Sequence, residues 1–340
     1  MLPPFGLSAV AMQWQFAPVV TSAVAVSAVL YGWGVVRVGR RHPSRPWPLW
    51  RAALFGAGLL VIVIATQSGI GAYDDLLFYD HMIQHVMLLM LAPPLLIVGQ
   101  PLTLLLHASR NPLHTWAKRV IRSRPASFLT WPVFTAVAYG LAVTAAHLTA
   151  IASYTEQDPA WHNAEHALFV VIGYLFFLPI LGTEPIRWRL SYPIRFVLLL
   201  LLMPIDTFTG VALGYASANS PGVPAGSRPA WAPSTVSDLH SGGAVMWIVG
   251  DGVMFALMMI VFLMWARDER AAVSGRSFFE RARRENLAAM VASSQPAPGG
   301  AAAPPELDGG RTIDDDAHLA AYNGYLARLN RQHDSAADSM

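Results

Sequence analysis

The amino-acid sequence predicts an all-α integral membrane protein, a seven-helix transmembrane bundle with its N-terminus outside the cell and its C-terminus in the cytoplasm. Hydrophobic residues make up 54% of the 340 residues and charged residues only 13%, roughly half of the ~25% share that is usual in soluble domains. Most of these charges lie between long apolar runs rather than inside them. Both features are typical of a chain whose surface faces lipid.

Seven apolar segments are long enough to cross a bilayer, which takes about 20 mostly apolar residues. They are residues 17–36, 51–70, 78–98, 129–151, 161–181, 194–215 and 240–265. Open sheet edges cannot satisfy their backbone groups in lipid, so the segments are expected to form helices. No Lys or Arg precedes the first run, so we expect a retained helix rather than a cleaved signal peptide.

The basic residues predict the orientation of the bundle. Every Lys and Arg except Arg228 falls in the connections or the tail that share one side under this assignment. Positively charged loops stay in the cytoplasm, so that side is assigned to the cytoplasm of a bacterial cell, with the protein crossing its plasma membrane several times. Because the basic residues lie in these short loops, the lipid bilayer is an expected partner and nucleic acid is not.

The domain organisation follows from the same pattern. Residues 1–285 are predicted to form the seven-span transmembrane domain, and residues 286–340 a cytoplasmic tail. Within that tail, residues 293–305 are rich in Ser, Pro, Gly and Ala, which predicts a disordered linker. A short helix is expected after Thr312, which can cap it ahead of three aspartates.

Histidines cluster at the predicted outer face and form the candidate metal site. His81 with His85, and His162 with His166, are each spaced i, i+4, which places both imidazoles of a pair on one helix face. His147 ends the fourth segment at a similar depth. The chain has no Cys, so thiolate sites are excluded and metal ligands must come from other side chains. Imidazole suits copper, zinc, iron and nickel, so the spacing alone leaves the metal open.

A second layer of candidate residues surrounds these pairs. Asp206 and Asp251 lie deeper in the sixth and seventh segments, where an ionisable group generally faces the bundle interior. They either extend the metal site, share or relay a proton, or make packing hydrogen bonds. His240 begins the seventh segment, and Met82 adds a thioether, a ligand that favours Cu(I).

Three stretches of the sequence resemble the CtaG-type family of seven-helix cytochrome c oxidase assembly factors. The likeness covers about residues 78–267. The first stretch reads Asp-His-Met-Ile-Gln-His at 80–85, followed by Ala-Pro-Pro-Leu-Leu at 92–96, Gly99 and Pro101. The second reads His-Asn-Ala-Glu-His at 162–166, and the third contains Met246-Trp247.

The resemblance implies a role in assembling haem–copper oxidase. It implies that copper is held or delivered at the outer face, with Cu(I) as the form expected from the nearby methionines, while the imidazole ligands alone also leave zinc possible. Oxidase subunits are then the expected partners, together with a copper chaperone. A catalytic site is not expected.

Three other functions compete with this interpretation. An intramembrane zinc-dependent hydrolase needs three protein ligands and an open position for water, which the His and Asp residues could supply. A haem-binding electron carrier could use histidines on facing helices as ligands. A plain scaffold for oxidase subunits would need no metal at all.

Overall fold

The computed structural model describes residues 2–149, 158–215, 217, 228–270 and 283. Within these ranges all regular structure is helical and no strand occurs, which confirms the predicted all-helical class. The helices are α1 (Leu7–Met12), α2 (Pro18–Arg41), α3 (Leu49–Gln67), α4 (Gly69–Tyr73), α5 (Phe78–Val86), α6 (Ala92–Val98), α7 (Pro101–Ala108), α8 (Leu113–Ile121), α9 (Arg124–Leu129), α10 (Pro132–Leu148), α11 (Pro159–Leu181), α12 (Tyr192–Gly214), α13 (Thr235–Ala244) and α14 (251–270).

Six helical stretches of the described chain, some of them joining consecutive helices, are long and apolar enough to span a membrane: Pro18–Arg41, Leu49–Tyr73, Phe78–Ala108, Ala160–Leu181, Tyr192–Gly214 and Thr235–Arg270. The shorter α10, 17 residues of mostly apolar sequence, matches the predicted fourth segment, whose last residues lie outside the described ranges. The chain is therefore a multi-pass membrane protein, while the count of seven spans and the orientation stay predictions. The linker at 293–305, the helix after Thr312 and the boundary at 285 also fall outside the described residues.

The third span, Phe78–Ala108, lies at the centre of the bundle. Its most apolar window is 72% buried inside the protein, against 11% for Pro18–Arg41. Helix α5 packs against α13, and α6 packs against α3 and α11. Large side chains such as Leu141, Leu201 and Phe208 are exposed on the other spans, so these spans present apolar surface to lipid.

Two turns of π-helix interrupt the central helices. Residues Met87–Leu91 form the first, where the backbone N–H of Ala92 donates to the carbonyl of Met87, five residues back. Pro93 and Pro94 follow directly and have no N–H to donate. The sequence predicts a kink or an end at these prolines. The structure has the π-helical turn directly before them, and α6 continues to Val98, ahead of Gln100, which adopts a left-handed conformation with φ 55°. The second turn, Val245–Gly250, joins α13 to α14.

Carboxylates from residues distant in the sequence cap the starts of two helices in the third span, α5 and α7. Asp238 accepts hydrogen bonds from the backbone N–H groups of Phe78 (2.9 Å) and Tyr79 (3.0 Å) at the start of α5. Glu184 accepts from the N–H groups of Leu102 and Thr103, both at 2.9 Å, at the start of α7. The first N–H groups of a helix have no partner within it, so each carboxylate satisfies donors that would otherwise be buried and unpaired.

Glycines let the helices that carry the site approach each other closely. A Cβ at Gly243 would lie 2.5 Å from the carbonyl oxygen of Gly210, and one at Gly210 would lie 2.7 Å from that of Gly243. A Cβ at Gly173 would lie 2.2 Å from the carbonyl oxygen of Leu89. These contacts are to backbone atoms, which cannot move aside without moving a helix.

The close contact between α12 and α13 gives a first prediction. Gly243→Ala should separate the two helices and lower the thermal stability of the purified protein by roughly 1–3 kcal/mol, the usual effect of overpacking. Gly252→Ala is the matched control, because nothing lies within 4 Å of its added Cβ and alanine favours a helix. Equal melting temperatures for the two variants would contradict this account of the packing.

The orientation gives a second prediction. A reporter enzyme fused after Arg122 should report a cytoplasmic location, because the basic connection around Arg122 stays inside the cell. A reporter inserted between residues 154 and 160 should report a location outside the cytoplasm. A cytoplasmic signal from that second insertion would place the predicted outer face on the wrong side.

Candidate metal centre

Five predicted ligands lie together in the bundle, carried by three helices. Helix α5 carries His81 and His85, α11 carries His162 and His166, and α10 carries His147. The imidazole ring centroids are 4.0 Å apart for His81 and His85, 4.3 Å for His162 and His166, and 5.3 Å for His81 and His162. His85 lies 5.1 Å from His147 and 6.0 Å from His166. We refer to these five side chains as the histidine cluster.

Hydrogen bonds orient two of these rings. His147 Nδ1 lies 2.8 Å from the carbonyl oxygen of Val143, which can only accept, so Nδ1 carries the proton. A neutral His147 then accepts through Nε2, and His85 Nδ1–H is its donor at 3.0 Å. The proton of a neutral His85 is used in that bond. The lone pair of His85 Nε2 is left over, and that atom is buried without a hydrogen-bond partner among the described residues.

Two carboxylates complete three-residue groups around the cluster. Ligand atoms of His81, His85 and Glu165 lie within 4.8 Å of one another, and so do those of Asp74, His162 and His166. His162 Nε2 is 3.3 Å from Asp74 Oδ2. His166 Nε2, like His85 Nε2, is buried without a hydrogen-bond partner in the described part of the chain. Each group therefore offers two imidazoles and one carboxylate to a cation.

A large cavity borders the second of these groups. It has a volume of about 1080 Å³ and is lined by parts of α2, α3 and α11. Most of the lining is apolar, and Asp74, His162 and His166 lie on its wall together with Asp75. No Lys or Arg occurs among the lining residues, so the polar part of the wall suits a cation better than an anion.

The second-layer candidates are distributed more widely. Asp206 is fully buried and lies 3.4 Å from the hydroxyl of Tyr139. Asp251 accepts a 2.6 Å hydrogen bond from the hydroxyl of Thr207. Each residue thus makes a hydrogen bond to a neighbouring helix and keeps a second carboxylate oxygen without a partner among the described residues. Met82 is buried beside the cluster, whereas His240 is exposed on α13 and joins neither three-residue group.

Three carboxylates near the cluster did not stand out from the sequence as ligands. Asp74 and Glu165 belong to the two groups above. Asp80 is completely buried, with 0% of its surface accessible to water. Both of its carboxylate oxygens lack hydrogen-bond partners within the described ranges. Glu165 directly precedes His166, and Asp80 directly precedes His81. The sequence therefore shows that these two acids adjoin the histidine pairs. It does not show whether such an acid is buried or lies in a solvated loop.

The fold and this site together define a multi-pass membrane protein with a buried cluster of histidines and carboxylates near one end of its bundle. A family described as cytochrome c oxidase caa3 assembly factor (Caa3_CtaG) matches residues 29–268. The chain belongs to this family, as the three sequence stretches indicated, and it is a protein of the bacterial cell membrane.

Curated relatives of the chain occur in mycobacteria. The uncharacterized protein Mb0105 of Mycobacterium bovis is 30% identical over 281 residues, which cover 77% of this chain and 40% of the relative. The uncharacterized protein ML1998 of Mycobacterium leprae is 29% identical over 278 residues, 76% of this chain and 40% of the relative. The chain thus spans about 40% of the length of these relatives. No solved structure matches it.

The cap on α5 gives a third prediction, because it fixes the helix that carries His81 and His85. Asp238 is fully buried and pairs with Arg228, whose side chain is 16% exposed. Asp238→Ala would leave this cation without its counter-charge and two N–H groups unpaired, so it should lower stability by roughly 2–5 kcal/mol. Thermal unfolding of the purified protein measures this change.

The control for this variant is Asp75→Ala. The Asp75 side chain is 79% exposed, so its removal should lower the stability of the protein by less than about 1 kcal/mol. Asp238→Asn keeps one acceptor for the helix N-terminus and should fall between the two. If Asp238→Ala melts with the wild type, the cap does not hold α5 in place.

Proposed function

We propose that this protein assists the assembly of cytochrome c oxidase by binding copper at the histidine cluster, on the outer side of the bacterial plasma membrane. Copper is cargo in this proposal, received at the cluster and passed to oxidase subunits. The membership of the chain in the assembly-factor family supports the coarser part. The finer part rests on the geometry of the cluster.

The observation that carries the proposal is the convergence of imidazoles with unused lone pairs. His85 Nε2 and His166 Nε2 are both buried and unpaired among the described residues, although a buried polar atom without a partner is costly. His81 and His162 lie beside them. A cation bound in the group of His85 or in that of His166 would satisfy the unpaired nitrogen there, so the residues present fit copper or another metal that prefers imidazole.

The members of the cluster would play different parts. His81, His85, His162 and His166 supply nitrogen ligands, and Glu165 and Asp74 supply negative charge. His147 acts through His85: its Nε2 accepts the His85 Nδ1 proton, which leaves Nε2 as the donor atom of His85. A hydrogen bond of this kind, from a residue that does not itself bind the metal, fixes the tautomer and orientation of a metal-binding histidine.

The partners follow from the same proposal. Oxidase subunits would take copper from the cluster, and a copper chaperone would bring it from the outer side. Asp74 and Asp75 line the large cavity beside His162, and their charge would draw a cation toward the cluster. Transfer between proteins then needs no passage of the metal across the bilayer.

A zinc-dependent hydrolase is a second candidate, and one observation favours it. Each three-residue group combines two histidines with one carboxylate, which is the ligand set of several catalytic zinc sites. Metal analysis separates the two functions, because a hydrolase should be purified with zinc. A haem carrier would show a Soret absorption band, and a scaffold would hold no metal.

The fourth prediction is that copper binding depends on the histidines of α5. Protein with both His81→Ala and His85→Ala should lose copper and should fail to support oxidase activity in cells, at unchanged abundance. His240→Ala is the matched control, because this histidine is exposed and outside the cluster. Copper content of the purified proteins and oxidase activity of the membranes are the measurements.

The same site should bind copper more weakly in acid, since protons compete with the metal for neutral imidazole. Affinity at about pH 5.5 should be lower than at about pH 7.5, on either side of the range where histidine ordinarily titrates. Unchanged copper content in the double variant would contradict copper binding at the histidine cluster, and equal affinity at both pH values would contradict binding through imidazoles that protonate in this range.

A further inference from the structure

A small cavity borders the histidine cluster and is lined in part by three methionines. It has a volume of about 10 Å³, and Met82, Met90 and Met246 line it together with His85 and His147. The remaining walls are aliphatic or aromatic. A volume near that of one probe sphere suffices for a single atom-sized guest. We call this space the methionine cavity.

The two π-helical turns carry two of these methionines, and the third, Met82, lies on α5. Met90 lies in the turn Met87–Leu91, and Met246 lies in the turn Val245–Gly250. Gly250 faces Met90: a Cβ there would lie 3.6 Å from the Met90 sulfur. Turns of π-helix occur frequently at functional sites. Here the two turns meet around one cavity, and each contributes a buried thioether.

We propose that the methionine cavity is a second metal position, selective for Cu(I), in which the thioethers of Met82, Met90 and Met246 bind the ion beside His85 and His147. Thioether sulfur is a soft ligand and favours Cu(I) over zinc and other hard or borderline ions. The histidine cluster, with its imidazoles and carboxylates, has no such preference. The inference rests on copper being the cargo of the cluster, and adds where its reduced form is held.

Charge supports the same choice of ion. No carboxylate lines the methionine cavity, and Met82, Met90 and Met246 are each at most 4% exposed. A buried charge without a counter-charge is costly, and the cost is smaller for a monovalent than for a divalent cation. Zn²⁺ and Cu²⁺ are therefore disfavoured in this cavity on both ligand softness and charge.

His85 belongs to both positions. It joins the group of His81 and Glu165 and also lines the methionine cavity. An ion could thus remain near one imidazole while its other ligands change from carboxylate and imidazole to thioether. The arrangement gives the protein an outer position that accepts copper and an inner one that keeps Cu(I) away from water.

X-ray absorption at the copper edge tests this inference on full-length protein loaded with Cu(I) without oxygen. The wild-type spectrum should contain sulfur neighbours of copper. The double variant Met90→Leu/Met246→Leu should lose two of the three sulfur neighbours and bind Cu(I) roughly ten-fold or more weakly in competition with a chelator. Its zinc binding at the histidine cluster should not change. Exchange of Met for Leu conserves volume and is usually tolerated, and Met246→Leu alone serves as a second variant.

The matched control is Met254→Leu/Met258→Leu, since both residues are buried in the core but do not line the cavity. This control should keep the sulfur signal. Copper bound through nitrogen alone and lost in the His81/His85 double variant would reject the methionine cavity and leave the proposed function standing. A sulfur signal of undiminished size in Met90→Leu/Met246→Leu would reject it as well. Absence of copper from the wild type would overturn both.

Discussion

The hydrogen bonds that Asp238 accepts from the start of α5 are the constraint on which the site depends. Lipid offers no partner to a backbone N–H, so the N-terminus of a central helix must be satisfied by the protein itself. Asp238 meets the N–H groups of Phe78 and Tyr79 and is balanced by Arg228. Its position fixes where α5 begins, and therefore the depth at which His81 and His85 face the other histidines.

Hydrogen bonding then decides how the cluster presents its nitrogen atoms. The carbonyl of Val143 sets the proton of His147, and His147 in turn sets the proton of His85. This order runs from a rigid backbone group to the side chain at the centre of the site. A helix carbonyl outside the cluster thus selects which nitrogen of His85 can bind a metal. Hydrogen bonds from residues that do not bind the metal commonly orient its ligands in this way.

The sequence predicted the helical class, the places of the apolar helices and the approach of five histidines from three helices. Those features follow from composition, helical spacing and depth along a span. It could not predict the π-helical turns or the position of the break at Gln100, because these depend on which backbone groups neighbouring helices leave unsatisfied. The part played by Glu165 escaped for a related reason. A carboxylate on a helix becomes a candidate ligand only when another helix brings His81 and His85 within reach.

Both carboxylates that cap the third span come later in the chain than the helices they cap. Asp238 follows Phe78 by 160 residues, and Glu184 follows Leu102 by 82. During synthesis the third span must therefore leave the insertion machinery with both helix starts uncapped, held only by earlier spans. The histidine-bearing helix reaches its final position after the last span is inserted. A chain truncated before Asp238 should consequently be a substrate for membrane quality control rather than a partly active protein, and a metal would have no finished site to occupy until the helix that carries Asp238 has been inserted.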